Sequence, residues 1–224
     1  MDSAVLFDFG GTLDADGLTW KERFFRLYLD EGVEVARERF DPLFYAADDA
    51  LVGAIPPTLS FRETVQQLAT GVTRALRPGD QALGERIATR FLDGALAQIQ
   101  SNRHLLARLG ARYRLGIVSN FYGNLVTVCN NTEIRPFFSV IVDSAQVGLS
   151  KPDPRIFRRA IDELGLTPAA ATFVGDSFAR DMAGARAVGM RHIWLVGDRV
   201  EDSEPCCPGD RVVRSLRELE ALLL

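Results

Sequence analysis

An apolar run at residues 4–9 ends at Gly10-Gly11, and the next strand-like run is Arg114-Leu115-Gly116-Ile117-Val118. Roughly 85 residues with helical periodicity separate them, too many for a single crossover. Trp20, Phe24, Leu27 and Tyr28 fall on one helical face, and Phe40, Leu43, Phe44 and Ala47 on another. Pro56-Pro57 breaks the pattern. Ser60, with Glu63 three residues on, then reads as a capping box. The helix it opens carries Phe61, Val65, Leu68 and Ala69 as its apolar stripe, and Leu83, Ile87, Phe91, Leu96 and Ile99 continue the helical character. Past residue 100 the rhythm changes. Helices are expected over 102–110, 125–130, 153–164, 181–188 and 215–223, and strands over 114–118, 138–142, 171–174 and 192–196. This alternation predicts an α/β fold with a doubly wound parallel-sheet, Rossmann-like core. The early block then becomes an all-helical cap domain inserted after the first strand. The expected division is a core of 1–14 and 101–224 and a cap of 15–100.

In an open parallel sheet, ligands bind beyond the carboxyl ends of the strands. Here those ends carry chemistry. Asp8 leaves the first strand just before Gly10 and Gly11, whose turn offers backbone N–H groups to anionic oxygens. Asp176 follows Phe173-Val174-Gly175, with Asp181 five residues further on. Two converging carboxylates suit magnesium, a hard cation that takes oxygen ligands, and the metal offsets their repulsion from a phosphate. Asp8 is then placed to attack phosphorus and form an aspartyl-phosphate. Ser119 offers a hydroxyl to a phosphoryl oxygen and Asn120 an amide to orient the substrate. Lys151, in Leu149-Ser150-Lys151-Pro152-Asp153-Pro154, offers an ammonium that neutralises phosphate and keeps Asp8 ionised. Asp181 is expected behind these groups, holding Lys151 or a metal-bound water, or capping a helix.

Composition removes other classes. Net charge is −4 and the basic residues are dispersed, which argues against a nucleic-acid surface. Of 26 basic residues only Lys21 and Lys151 are lysines, which makes each worth locating. Cys129, Cys206 and Cys207 form neither a disulfide framework nor, with two histidines, a zinc site. No signal-like or membrane-spanning stretch is seen, so the expectation is a cytoplasmic protein, monomer or homodimer, without membrane partners.

Asp8-Phe9-Gly10-Gly11-Thr12-Leu13, Ser119-Asn120, Ser150-Lys151-Pro152-Asp153-Pro154 and Gly175-Asp176-Ser177-Phe178-Ala179-Arg180-Asp181 together closely resemble the haloacid dehalogenase-like (HAD) superfamily of hydrolases, over nearly the whole chain. The resemblance implies a magnesium-dependent phosphatase acting on a small phosphorylated metabolite. Asp8 would be its nucleophile, and Ser119 and Lys151 would bind the phosphoryl group. Asp8, the carbonyl of Gly10 and Asp176 would hold magnesium, and the helical insert would be the substrate-selecting cap. One position departs from the pattern. Family phosphatases carry a second aspartate two residues past the nucleophile, which protonates the leaving alcohol and activates water. Glycine keeps the carbonyl and loses the proton carrier, at a cost of about 10²–10⁴ in rate. Asp14 and Asp16 are the nearest replacements in sequence, though solvated hinge acids are the plainer expectation. Two alternatives follow from Gly10: a phosphonate hydrolase using Lys21 as a Schiff-base lysine, or a weakly catalytic or noncatalytic binding or regulatory protein. The family's metal-free dehalogenases lack an acid at the position matching Asp176. In the cap, Trp20, Arg23, Phe24 and Arg26 are candidates to face the cleft, with packing of the cap interior the alternative for the two aromatics. Cys206-Cys207 reads as an incidental loop.

Overall fold

The computed structural model describes residues 2–198 and 210–224. Strand β1 (Ala4–Phe7) runs into a tight turn over Phe9–Leu13. Four helices follow: α1 (Trp20–Asp30), α2 (Arg37–Asp49), α3 (Phe61–Leu76) and α4 (Gln81–Gly110). The chain then alternates through β2 (Arg114–Ser119), α5 (Leu125–Asn131), β3 (Val140–Asp143), α6 (Ser144–Val147), α7 (Pro154–Leu164), β4 (Ala171–Gly175), α8 (Ala183–Val188), β5 (Arg191–Leu195), β6 (Arg211–Val213) and α9 (Leu219–Leu223). The sheet is parallel throughout, in the order β3-β2-β1-β4-β5-β6.

This is the expected α/β core with an inserted helical region. Alternate residues of β1 feed opposite cores, as a sheet covered on both faces requires. Val5 and Phe7 join Ile117, Val174 and the helices of the insert, whereas Ala4 and Leu6 join Val118, Phe173, Ile156 and Phe157. The Ser60–Glu63 capping box opens α3 as the pattern predicts. Three local expectations are corrected. Residues 102–110 are not a separate helix but the last turns of α4, because no proline interrupts its buried stripe from Leu83 to Leu109. β6, too short to show an alternation, was not anticipated. The last helical stretch is a single turn at Leu216–Glu218 followed by α9. Cys206 and Cys207 lie outside the described residues; Cys129 is buried in α5. Among the described residues no helix is long and apolar enough to cross a membrane.

The chain order reverses across the β1–β4 pair, the switch point at which open parallel sheets bind ligands. Phe7 pairs with Ile117 on one side and Val174 on the other, and Asp8 N–H donates to Val174 O at 2.9 Å. This register brings the residues just beyond Phe7, Val118 and Gly175 to one edge.

Candidate active site

The centre is a buried ion cluster. Lys151 Nζ lies 2.8 Å from Asp8 Oδ1 and 2.7 Å from Asp181 Oδ1, with its side chain 1% exposed. Burial alone would pull the Lys151 ammonium down, but Asp181 and Asp8 outweigh it, so its pKa is raised and it stays charged. Asp181 shows the reverse balance. Desolvation outweighs Lys151, nearby Asp8 adds repulsion, and the carboxyl is pushed up to about 6. One oxygen each of Asp8, Asp176 and Asp181 lies within 4.8 Å of the others.

Backbone economy makes this packing possible. Gly175 has no Cβ to fill; one there would sit 2.3 Å from Asp181 Oδ2. Gly11 has φ +86°, and its Cβ would lie 2.8 Å from Asp176 Oδ2. Asp176 also accepts from Thr12 Oγ1 at 3.2 Å, while Trp194 Nε1 donates to its carbonyl at 3.0 Å. Asp181 is held from behind by Ser177 N–H at 2.9 Å.

Ser119 ends β2 and lines the cavity beside Asp8. The loop after it is organised by buried Asp143, which accepts from Gly123 N at 2.9 Å and from Leu125 N and Ala145 N at 3.0 Å. Asn120 does not present a free amide to a substrate. Its Oδ1 accepts from Lys151 N at 2.7 Å and its Nδ2 donates to Lys151 O at 3.1 Å. The turn after Asp8 is likewise less open than its glycines suggest. Phe9 N–H donates to Asp8 Oδ1 and Gly11 N–H to Asp14 Oδ1, both at 2.7 Å.

Both hinge acids are engaged by other groups of the protein. Asp14 is buried and also accepts from Trp20 Nε1 at 2.7 Å and Arg23 Nη1 at 2.8 Å. Burial still raises its pKa against the pull of Arg23. Asp16 accepts from Ser215 Oγ at 2.7 Å and Leu216 N at 2.6 Å, which ties the hinge to the far end of the chain. Arg23 does not line the cleft; its other nitrogen reaches Phe91 O at 2.9 Å. Phe24 packs inside the insert against Phe44 and Phe91. Trp20 does both, lining the cavity and touching Phe61, Phe91, Phe121 and Tyr122.

A cavity of about 590 Å³ opens over the cluster between insert and core. Asp8, Gly10, Ser119, Asn120, Lys151 and Asp176 form its floor, and Trp20, Lys21, Arg26, Asp48, Tyr122 and Arg180 line it further out. Asp48 and Tyr122 were not singled out by sequence reasoning. Tyr122 stands three residues past Ser119, a usable signal, whereas nothing along α2 marks Asp48.

Asp8 and Asp176 bring carboxylate oxygens together, and a donor set of oxygens is the chemistry that magnesium favours over softer metals.

Comparison with known proteins agrees with this geometry. The profile of the haloacid dehalogenase-like hydrolase family matches residues 3–189. The chain is 32% identical over 152 residues to haloacid dehalogenase-like hydrolase domain-containing protein 3 of Bos taurus, 64% of this chain and 59% of that one. It is 43% identical over 83 residues to phosphoserine phosphatase of Thermus thermophilus, covering 37% and 32%. Against pyrimidine 5'-nucleotidase YjjG of Escherichia coli it is 32% identical over 121 residues, 53% of each. The chain thus spans between about a third and three fifths of the length of these curated relatives. Among solved structures, a HAD phosphatase from Thermococcus onnurineus aligns over 99% of this chain and 97% of its own, with TM-score 0.60 and 25% identity. A 2-haloacid dehalogenase from Pseudomonas syringae shares the fold, with TM-score 0.53 and 21% identity over 100% and 98%.

Proposed function

The chain belongs to the haloacid dehalogenase-like hydrolase family, and from that premise we propose that it hydrolyses phosphomonoesters of small metabolites through an aspartyl-phosphate on Asp8. The observation that carries the reading is the buried Lys151 ammonium, 2.8 Å from Asp8 and 2.7 Å from Asp181. A buried lysine with two countercharges, opening on a cavity, suits a site that must accept more negative charge. Relatives named as a phosphoserine phosphatase and a pyrimidine 5'-nucleotidase support phosphate esters as the substrate class.

In this reading a phosphoryl group rests between Asp8, Ser119 and Lys151. Asp8 attacks phosphorus as the ester oxygen departs, and Lys151 and the Ser119 hydroxyl hold the phosphoryl oxygens. Asn120 acts through Lys151, fixing its backbone, and Asp181 fixes its ammonium. Asp8, the Gly10 carbonyl and Asp176 would hold magnesium, which supplies positive charge to the phosphoryl oxygens when bound. Water then releases orthophosphate from Asp8. Residues 15–100 would act as the cap that selects substrate, with 1–14 and 101–224 as the catalytic core; the later boundary falls within α4. The reading includes a cytoplasmic monomer or homodimer that uses neither nucleic acid nor membrane.

Phosphonate cleavage through Lys21 is disfavoured. Burial would lower that ammonium, but hydrogen bonds to Asp41, at 2.5 Å, and Tyr45 outweigh it and raise the pKa, the opposite of what a Schiff-base lysine needs. Dehalogenation is disfavoured by the Asp176 carboxylate beside Asp8.

The test is hydrolysis of p-nitrophenyl phosphate and a panel of metabolite phosphates, with magnesium or EDTA, by wild type and Asp8→Asn. Magnesium-dependent turnover that the substitution abolishes is expected. Folded protein that binds magnesium and turns over no ester would overturn the reading in favour of a binding role.

A further inference from the structure

Gly10 has an ordinary extended backbone, φ −72° and ψ 120°, so its conformation does not demand glycine. The space is tight. A Cβ at this position would lie 3.1 Å from Trp20 Nε1 and 3.4 Å from Trp20 Cδ1. The indole therefore crowds any side chain placed here, and its one N–H is committed to Asp14. Asp14 accepts from three groups and does not line the cavity; Asp16 is bound to Ser215 and Leu216. Neither can serve a leaving group at Asp8.

Among the described residues, four carboxylates line the cavity: Asp8, Glu22, Asp48 and Asp176. Asp8 and Asp176 are the proposed nucleophile and metal ligand. Glu22 is neutralised by Arg26 at 2.8 Å and Arg37 at 2.6 Å, which outweigh its burial and hold its pKa low. Asp48, in α2, differs. Its Oδ1 accepts from the buried Tyr122 hydroxyl at 2.5 Å, and no ion pair joins it to a cation at bonding distance among the described residues. Desolvation raises its pKa, Asp49 on the same helix adds to the rise, and Tyr122 and the more distant Arg180 pull it down. Tyr122 itself stays protonated, pushed up first by burial and then by Asp48.

Resting on the phosphatase reading, we propose that Asp48 is the catalytic acid–base of this site, brought in from the insert in place of a side chain at position 10, with Tyr122 as its positioning residue. In the first step Asp8 Oδ bonds to phosphorus, the P–O(R) bond breaks, and the Asp48 carboxylic acid gives its proton to the departing oxygen, directly or through one water. In the second, the Asp48 carboxylate takes a proton from the water whose oxygen attacks phosphorus. The P–O(Asp8) bond breaks, orthophosphate leaves, and both acids return to their starting states. Such a donor matters most for esters of alcohols that leave poorly as anions.

The test compares wild type, Asp48→Asn and Tyr122→Phe on p-nitrophenyl phosphate and on glycerol phosphate, by rapid-quench measurement of phosphoenzyme formation and by steady-state turnover. In Asp48→Asn, phosphoenzyme formation from glycerol phosphate should fall about 10²-fold or more. From p-nitrophenyl phosphate, whose leaving group needs no proton, it should change less than about 5-fold. The result is a burst of p-nitrophenolate before slow turnover. Tyr122→Phe, which keeps the ring, should give a smaller loss of the same kind and shift the pH at which glycerol phosphate turnover declines. Equal losses of phosphoenzyme formation from both esters, or a change in KM alone, would overturn the assignment and leave the phosphatase reading standing. Absence of turnover by wild type on both esters would remove the phosphatase reading and the assignment with it.

Discussion

Asn120 grips the Lys151 backbone on both sides of its Cα, accepting from its N–H at 2.7 Å and donating to its carbonyl at 3.1 Å. The lysine's position is thus set by a side chain on a neighbouring strand end. Asn120→Ala should cost about 1–3 kcal/mol for the two lost hydrogen bonds. It should also lower kcat by about 10²-fold as the ammonium shifts relative to Asp8. Denaturant melts and steady-state kinetics check both; unchanged kcat would separate Asn120 from the chemistry.

Gly10→Asp should not rescue or accelerate turnover. Its Cβ would lie 3.1 Å from the Trp20 indole nitrogen, which is itself held by Asp14, so the ring must shift to admit the side chain. The expected cost is about 1–3 kcal/mol of overpacking, read from the shift in denaturant midpoint and in Trp20 fluorescence. A fully stable variant with about 10-fold higher kcat would show that the indole yields and the position is open.

Magnesium should stabilise the protein against heat, since Asp8 and Asp176 bring carboxylates together and a bound cation offsets their repulsion. At a hundred times its Kd the ion should add about 2.7 kcal/mol. Asp176→Asn should lose this gain while keeping the Asp8–Lys151–Asp181 cluster, and EDTA should return wild type to its metal-free melting point.

The raised pKa of Asp181, about 6, has a definite sign in stability. The folded protein holds this proton more tightly than the unfolded chain, whose carboxyl has the ordinary value of 3.8. The stabilisation is therefore complete below pH 3.8 and lost as pH rises through about 6. In EDTA, the stability of wild type relative to Asp181→Asn should decline across that window. A difference independent of pH would contradict the balance in which burial outweighs Lys151.

The core, the insertion and the strand ends bearing Asp8, Ser119 and Asp176 were legible because hydrophobic periodicity and glycine turns are local signals. Lys151 stood out because only one other lysine exists in the chain. Contacts across the insert–core boundary were not legible. Trp20 reads as one more residue of an apolar helical stripe, yet it fills the space beside Gly10 and bonds Asp14. Arg23 reads as cleft-facing and instead pairs with Asp14 at 2.8 Å. Asn120 reads as a substrate ligand because an amide's partner 31 residues away leaves no mark in the sequence. β6 escaped because three residues are too few to establish a period.

The central place of β1 also governs when the molecule can become itself. Its two neighbours in the sheet begin at Arg114 and Ala171, and Asp181 lies further on still. Helices α1 to α4 are contiguous in sequence and can pack early. The first strand must wait, unpaired, for partners more than a hundred residues downstream, and non-local pairing of this kind is slow. During synthesis the wholly apolar Ala4–Phe7 segment emerges before the strands that flank it in the sheet. The vulnerable interval for aggregation is therefore set by the length of the insert, and shortening the insert should speed refolding.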